Sequence, residues 1–462
     1  MTVPGRTRTR LLAGTAMGVY LLVVAGATAS IADAAGACGA WPVCRGSLAD
    51  PGHLVALGHR GLAAAVGLLL LGTAILVLRS AATRRVKGAV ALALAIYPVQ
   101  VALGALLATT GSAVPFPGLH LGVGLAIFGF TVLALAWDLE VLTGDPTDTP
   151  DVSLAPPEPA PDAPAEPAVA EVGLRERGLA YVRLTKPRLM WLLSLVAAAA
   201  MALAAAVASL ELSVGTIVLT LGGGVLAIGA SGTFNHVIER DRDRRMERTA
   251  DRPVATHSVP VRRAAAFGVS LALLSLFAFW QVNALAAGLG LVAILFYSVV
   301  YTVVLKPNTV QNTVIGGAAG SLPALIGWAA VTGEVGLAGL VLAGVIFVWT
   351  PAHFYNLALA YRDDYERGGF PMMPVVRGET ETRKHILLWL GATLAASAAL
   401  VWLTPLSWVT AGTAVLLGGV FLAAVVLLHR DRTERAAFRA FHASNAYLGL
   451  FLLAVVVDSL AV

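Results

Sequence analysis

Charge is what this sequence has least of. Only 13% of its 462 residues are Asp, Glu, Lys or Arg, against 58% hydrophobic residues and a mean hydropathy of +0.79. So few charges could not cover a soluble core of that apolarity, which excludes a water-soluble globular protein and makes lipid the solvent for much of the chain. Cysteine is nearly absent: Cys38 and Cys44 are the only two, so any internal disulfide joins that pair. Basic residues are missing from every second loop. Segments 209–213, 282–283, 332–336 and 404–407 hold none, and Arg45 stands alone in 33–58. The net charge of +5 is therefore a matter of position and does not point to nucleic acid.

Apolar runs of about 20 residues recur, the length that crosses the hydrocarbon layer as a helix. In lipid the backbone must satisfy its own polar groups, so the fold is predicted to be all-α. Thirteen spans are expected, four at 11–32, 60–79, 87–109 and 118–142, and nine at 189–208, 214–234, 263–281, 284–304, 313–331, 337–359, 385–403, 408–428 and 441–461. Basic groups gather in the alternate loops, around Arg79–Lys87, Arg183–Arg188, 240–263, Lys306, 362–384 and 430–439. By the positive-inside rule this multi-pass chain of the cell (plasma) membrane has a cytoplasmic N-terminus and an outside C-terminus. The first span lacks a cleavage site and is expected to stay.

Residues 143–172 are rich in Pro, Ala and acids, with no aromatic and no basic residue. A segment like that cannot bury a core and reads as a solvated tether. It separates a four-helix portion, 1–142, from a nine-helix portion, 173–462. The second portion carries an internal repeat. A shift of 121 residues lays FNHVIERDRD (234–243) on YNLALAYRDD (355–364), so that Asn235 meets Asn356 and Asp243 meets Asp364.

If the sixth span continues as a helix past the membrane surface, Asn235, Glu239 and Asp243 fall four apart on one face. That stripe of oxygens suits Mg²⁺, which binds through a few carboxylates plus substrate phosphates. Neighbouring arginines, Arg240 to Arg248, offer forks for phosphate oxygens. The competing reading is a charged loop whose acids simply pair with its arginines, but it must also explain the second stripe, Asn356 and Asp364. His353, one turn before Asn356, is either a packing residue or part of a pocket for a large aromatic acceptor, with Trp349 and Tyr355.

These stretches carry a resemblance. LTKPR (184–188), ASGTFNHVIERDRDRRMERTADRPV (230–254), YTVVLKPNTVQNTVIGGAAGSLPALIGW (301–328) and WTPAHFYNLALAYRDDYERGGFPMMPVV (349–376) run in order through residues 178–460. That part resembles the protoheme IX farnesyltransferases (heme O synthases), a branch of the UbiA-type intramembrane prenyltransferases. The resemblance implies nine helices around a cavity and two acidic motifs that bind Mg²⁺ and farnesyl diphosphate. The first motif falls on Asn235, Glu239 and Asp243, followed by Arg248 and Arg252; the second falls on Asp364, with Asn356 or Asp363 beside it. Two departures stand out: Glu239 replaces the broader family's Asp, and Ala360 replaces the first acid of the second motif. Lys186, Arg188, Tyr301 and Lys306 become candidates for diphosphate contacts, although each is equally readable as a snorkelling or interfacial residue. The implied reaction ionises the prenyl diphosphate, lets a vinyl group of heme B attack the allylic cation, and completes heme O with water.

Within 1–142, His53, His59 and His120 are the histidines, and the topology sets His59 and His120 at similar depth, as axial heme ligands are. CGAWPVCRG (38–46), GHR (58–60), QVALGAL (100–106) and GLHLGVG (118–124) resemble one half of heme A synthase, which makes His59 and His120 heme-ligand candidates. The residues before His59, Val55–Gly58, include no acid where that family has one. The half is open between binding heme, delivering it, pairing with a second copy and being a remnant, and the implied partners are heme A synthase or oxidase assembly factors. Cys38 and Cys44 lie in an outside loop, where oxidising conditions permit a disulfide; free or redox-cycling thiols are the alternative. Two other functions compete for the whole chain: prenylation of a quinone precursor, and a non-catalytic heme-binding or transport protein. Transporters place coupling sites near the midplane at broken helices, whereas these acids cluster at a surface beside arginines.

Overall fold

A computed structural model describes residues 5–31, 34–38, 41–44, 46–110, 116–145, 148 and 173–461. Among them there is helix and no strand, and thirteen helices are long and apolar enough to cross a membrane. Most of the expected tether, 146–147 and 149–172, lies outside the described residues.

The helices are α1 Gly5–Ile31, α2 Pro51–Arg79, α3 Arg84–Thr110, α4 Phe116–Thr143, α5 Leu174–Leu184, α6 Pro187–Ala208, α7 Val214–Asp243, α8 Val261–Val282 and α9 Ala284–Leu295. A π-helical stretch, Phe296–Leu305, continues α9 into α10 Lys306–Asn308. Then come α11 Asn312–Thr332, α12 Leu337–Ala360, two short helices α13 Arg362–Arg367 and α14 Met373–Val376, and α15 Glu379–Leu403, α16 Trp408–Arg430 and α17 Glu434–Ala461.

The largest departures from the expected spans are at helix ends, where polar residues extend an apolar run. Helix α2 starts nine residues earlier than hydropathy suggests, because Pro51 takes its first turn and Asp50 Oδ1 accepts the Gly52 N–H at 2.9 Å. Helix α7 runs to Asp243 rather than stopping at 234; Glu239, Arg240 and Arg242 are good helix formers, and the two arginines in the last turn complement the helix dipole. The amphipathic α5 was not anticipated.

Two compact units emerge, and they do not follow chain order. The first comprises residues 1–146, 383–432 and 442–454; the second comprises 147–382, 433–441 and 455–462. In the first, α1 packs on α4, α2 and α16. A buried ion pair, Arg8 Nε to Asp138 Oδ1 at 2.6 Å, joins α1 to α4, and Ser397 and Tyr447 share a buried hydrogen bond at 2.7 Å. In the second unit α7 packs on α8, and α11 packs on α6 and α12.

Candidate active site

Three of the candidate residues of the second unit, Lys186, Arg252 and Lys306, gather around the last three turns of α7. Four-residue spacing places Asn235, Glu239 and Asp243 on one face, and all three are buried. Each is met by a partner from another segment. The Lys186 ammonium donates to Asn235 Oδ1, and Asn235 Nδ2 donates to Thr302 Oγ1 at 3.3 Å. Lys306 Nζ donates to Glu239 Oε1 at 2.6 Å. Arg252 donates to both oxygens of Asp243 at 2.8 Å and stands 3.8 Å from Glu239 Oε2.

Local structure explains how these cations arrive. Lys186 has a left-handed backbone, φ 54°, and is the cap of α6, with Pro187 starting the helix. It can approach α7 because residue 232 is Gly: a Cβ there would stand 3.0 Å from Leu184 O and 3.3 Å from Lys186 Cγ. Burial pushes the Lys186 ammonium well below its ordinary pKa, the Arg252 charge acts in the same direction, and Glu239 opposes them. Lys306 is delivered by the π-helical stretch, whose widened turns are marked by the Lys306 N–H bonded to Tyr301 O. The same stretch brings in Tyr297, whose OH lies 3.4 Å from Lys186 Nζ, and Thr302. Tyr301 lies 5.5 Å from Tyr297, ring to ring, against Gly316, where a Cβ would come within 2.6 Å of its ring.

The second acidic segment differs from the first in form. Helix α12 ends at Ala360 and the chain turns at Tyr361, so Asp364 does not continue a stripe with Asn356. Its carboxylate instead accepts the Glu247 N–H at 2.7 Å and the Arg248 N–H at 3.4 Å, and it takes Arg367 at 2.9 Å. It thereby braces the loop that follows α7. Arg248 donates to Tyr365 OH at 3.1 Å and lies over the rings of Tyr361 and Tyr365. Burial alone would lower the Arg248 pKa, yet Tyr365, Asp364 and Tyr361 hold it above its ordinary value. Asn356 is fully buried; its Nδ2 donates to Ala352 O at 2.7 Å while its Oδ1 has no partner. His353 is stacked between Trp349 and Phe441, at 4.3 and 4.4 Å.

Arg188 stands apart from this cluster. It is exposed and joins no ion pair or hydrogen bond among the described residues, lying in the first turn of α6 while Lys186 is the left-handed cap outside that helix. Conversely, the sequence reading missed Tyr297, Thr302 and Tyr365. The four-residue spacing of Tyr297 and Tyr301 was the available signal.

Next to Lys186 and Tyr297 opens a cavity between α6, α7, α8, α9 and α11. Lys186 is its only charged lining residue, and the walls are chiefly apolar side chains such as Leu193, Ala227, Ile228 and Ile326. Apolar walls with a few polar groups are the character of a small-molecule site.

In the first unit, Cys38 and Cys44 form a disulfide with Cα atoms 4.8 Å apart, and Cys44 Sγ lies 3.2 Å from His53 Nδ1. His59 on α2 packs against Gly26, and His120 on α4 packs against Gly104. His120 Nε2 is 3.2 Å from the Gln100 amide, and the Nδ1 atoms of both His59 and His120 are buried without a partner among the described residues.

The sequence profile of the UbiA prenyltransferase family matches residues 192–452. Protoheme IX farnesyltransferase of Haloarcula marismortui is 64% identical over 462 residues, 99% of either chain. Protoheme IX farnesyltransferase 1 of Saccharopolyspora erythraea is 44% identical over 285 residues, 61% of this chain and 89% of its own. A solved digeranylgeranylglyceryl phosphate synthase superposes with a TM-score of 0.52 at 14% identity, over 62% of this chain and all of that one. The chain belongs to the UbiA prenyltransferase family.

Proposed function

We propose that this protein transfers the farnesyl group of farnesyl diphosphate to a vinyl group of protoheme IX (heme B), giving heme O for a terminal oxidase. One observation carries the reading: Lys186, Arg252 and Lys306 converge on the Asn235–Glu239–Asp243 stripe, and Lys186 also lines an otherwise apolar cavity. Two relatives that bear this activity in their names support the choice of acceptor.

Mg²⁺ fits this donor set. Two buried carboxylates one turn apart, with an amide oxygen a further turn away, leave the rest of an octahedron to phosphate oxygens and water, which is how Mg²⁺ is commonly held. Asn235, Glu239 and Asp243 would hold it, and its positive charge would offset the negative charge that develops on the leaving diphosphate. The protein groups do the remaining work. Lys186, Lys306 and Arg252 take diphosphate oxygens as the C1–O bond breaks and its electron pair leaves with the diphosphate. Asp364 keeps the Glu247–Arg248 backbone in place. The apolar walls keep bulk water from the allylic cation. The vinyl carbon then forms the new C–C bond, and water supplies the hydroxyl and loses a proton.

Asp243→Ala or Asp364→Ala is expected to abolish Mg²⁺-dependent conversion of heme B to heme O while the protein still inserts and folds. Full heme O formation by both variants, read by mass spectrometry, would overturn the assignment.

A second reading concerns residues 1–142, taken as a heme A synthase-like half joined by the 143–172 tether to the prenyltransferase portion, 173–462. Two partly buried imidazoles whose Nδ1 atoms have no partner among the described residues, each against a helix glycine, favour heme binding there. Purified protein is expected to show a bis-histidine heme spectrum that His59→Ala and His120→Ala lose; a heme-free parent rejects the idea. The loop charges further support a cytoplasmic N-terminus, an outside C-terminus and location in the plasma membrane.

A further inference from the structure

We infer that Phe279, with Thr220, closes the far end of the cavity and sets the length of the prenyl chain at three isoprene units. This deepens the proposed prenyl transfer and rests on it. The two ends of the cavity differ in cover. At the polar end Leu189 is 48% exposed, whereas at the other Thr220 is 1%, Phe279 0% and Ile326 5% exposed. The tail therefore enters beside Lys186 and runs toward a closed wall.

The distance fits one donor. Along α7 the lining spans Gly232, which touches Lys186, back to Thr220. Those twelve residues rise roughly 18 Å. A farnesyl backbone of eleven C–C bonds, each about 1.5 Å and zigzag, reaches roughly 14 Å, and a further isoprene unit adds roughly 5 Å. Three units fit; a fourth meets the wall.

The wall is also rigid. Phe279 is held between glycines of two neighbouring helices: a Cβ on Gly223 would stand 3.0 Å from its ring, and one on Gly290 would stand 2.5 Å away. It belongs to a packed apolar cluster with Ala227, Ala286, Ile294 and Ile326. A ring clamped on two sides cannot swing aside to admit a longer tail.

The test compares kcat/KM for geranyl, farnesyl and geranylgeranyl diphosphates with heme B in the full-length protein, together with the mass of the prenylated heme. Phe279→Ala is expected to raise the geranylgeranyl-to-farnesyl ratio by about tenfold or more, the scale on which a pocket discriminates alkyl length. Thr220→Leu, which adds bulk at the same wall and removes a hydroxyl, is expected to lower the farnesyl-to-geranyl ratio. Ratios unchanged in an active variant would overturn the inference. Should Phe279→Ala fail to fold, Thr220→Leu decides the matter alone. A parent protein that makes no heme O would instead refute the prenyl transfer itself, so the two failures are distinguishable.

Discussion

At the scale of single residues, the site is a set of buried charges that depend on one another. Asp243 is 1% exposed, and its two oxygens are both taken by Arg252. Removing one member of such a pair leaves the other uncompensated in a poorly hydrated place, which costs about 3 kcal/mol or more. Arg252→Ala is therefore expected to lower the thermal midpoint in detergent as well as to suppress heme O formation. Arg252→Lys, which keeps the charge and loses the fork, should recover part of the midpoint. An unchanged midpoint for the alanine variant would mean the pair contributes nothing. The acidic stripe itself was legible, because four-residue spacing on a continuing helix needs no tertiary knowledge. The pairing of Lys306 with Glu239 was not: it depends on the register shift of a π-helical stretch that no local composition announces. Arg188 is exposed although it stands two positions from Lys186. A motif read as a string gives neighbours equal standing, whereas here one is the left-handed cap of α6 and the other lies in its first turn.

At the scale of elements, what matters is how segment ends are fastened. Asp148 Oδ1 accepts the Glu379 N–H at 3.0 Å and its Oδ2 accepts the Thr380 N–H at 2.6 Å, so it caps α15 from a distant part of the chain. Gly378 sits beside it at φ 81°, where a Cβ would come within 2.3 Å of Asp148. Glu379 in turn lies 3.6 Å from Arg362 of α13, the helix that carries Asp364. Asp148→Ala should cost about 1 kcal/mol, as lost caps do, and should speed amide exchange at Glu379 and Thr380 roughly fivefold. Equal exchange in parent and variant would show that the cap is dispensable. Asp148 gave no such signal in sequence, because it falls inside a stretch whose composition reads as tether. The thirteen spans were legible through hydropathy, and their polar extensions were not. The break at Tyr361 also escaped notice, so the second stripe was expected as a mirror of the first.

At the scale of the whole molecule, the compact unit that contains α1 to α4 also takes in residues 383–432 and 442–454. Hydropathy could not reveal this, because in a bilayer the faces that meet lipid and the faces that meet protein are equally apolar. Every proposed diphosphate contact, however, lies between Lys186 and Asp364 in the second unit. Residues 173–462 expressed alone in lipid are therefore expected to form heme O, with a lower thermal midpoint because α16 loses its packing against α1. Loss of product from a correctly inserted 173–462 protein would show that the first helices take part in the reaction. The thirty residues of α7 carry one more consequence. They rise roughly 45 Å, about 15 Å more than the hydrocarbon layer, which lifts the carboxylates into the headgroup zone while the hollow beneath them stays in oil. An amphiphilic donor can then be captured sideways, its head wet and its tail dry, without ever dissolving. Supply becomes a two-dimensional problem: moles of isoprenoid per mole of phospholipid set the turnover, and adding empty bilayer at fixed donor and protein slows the enzyme.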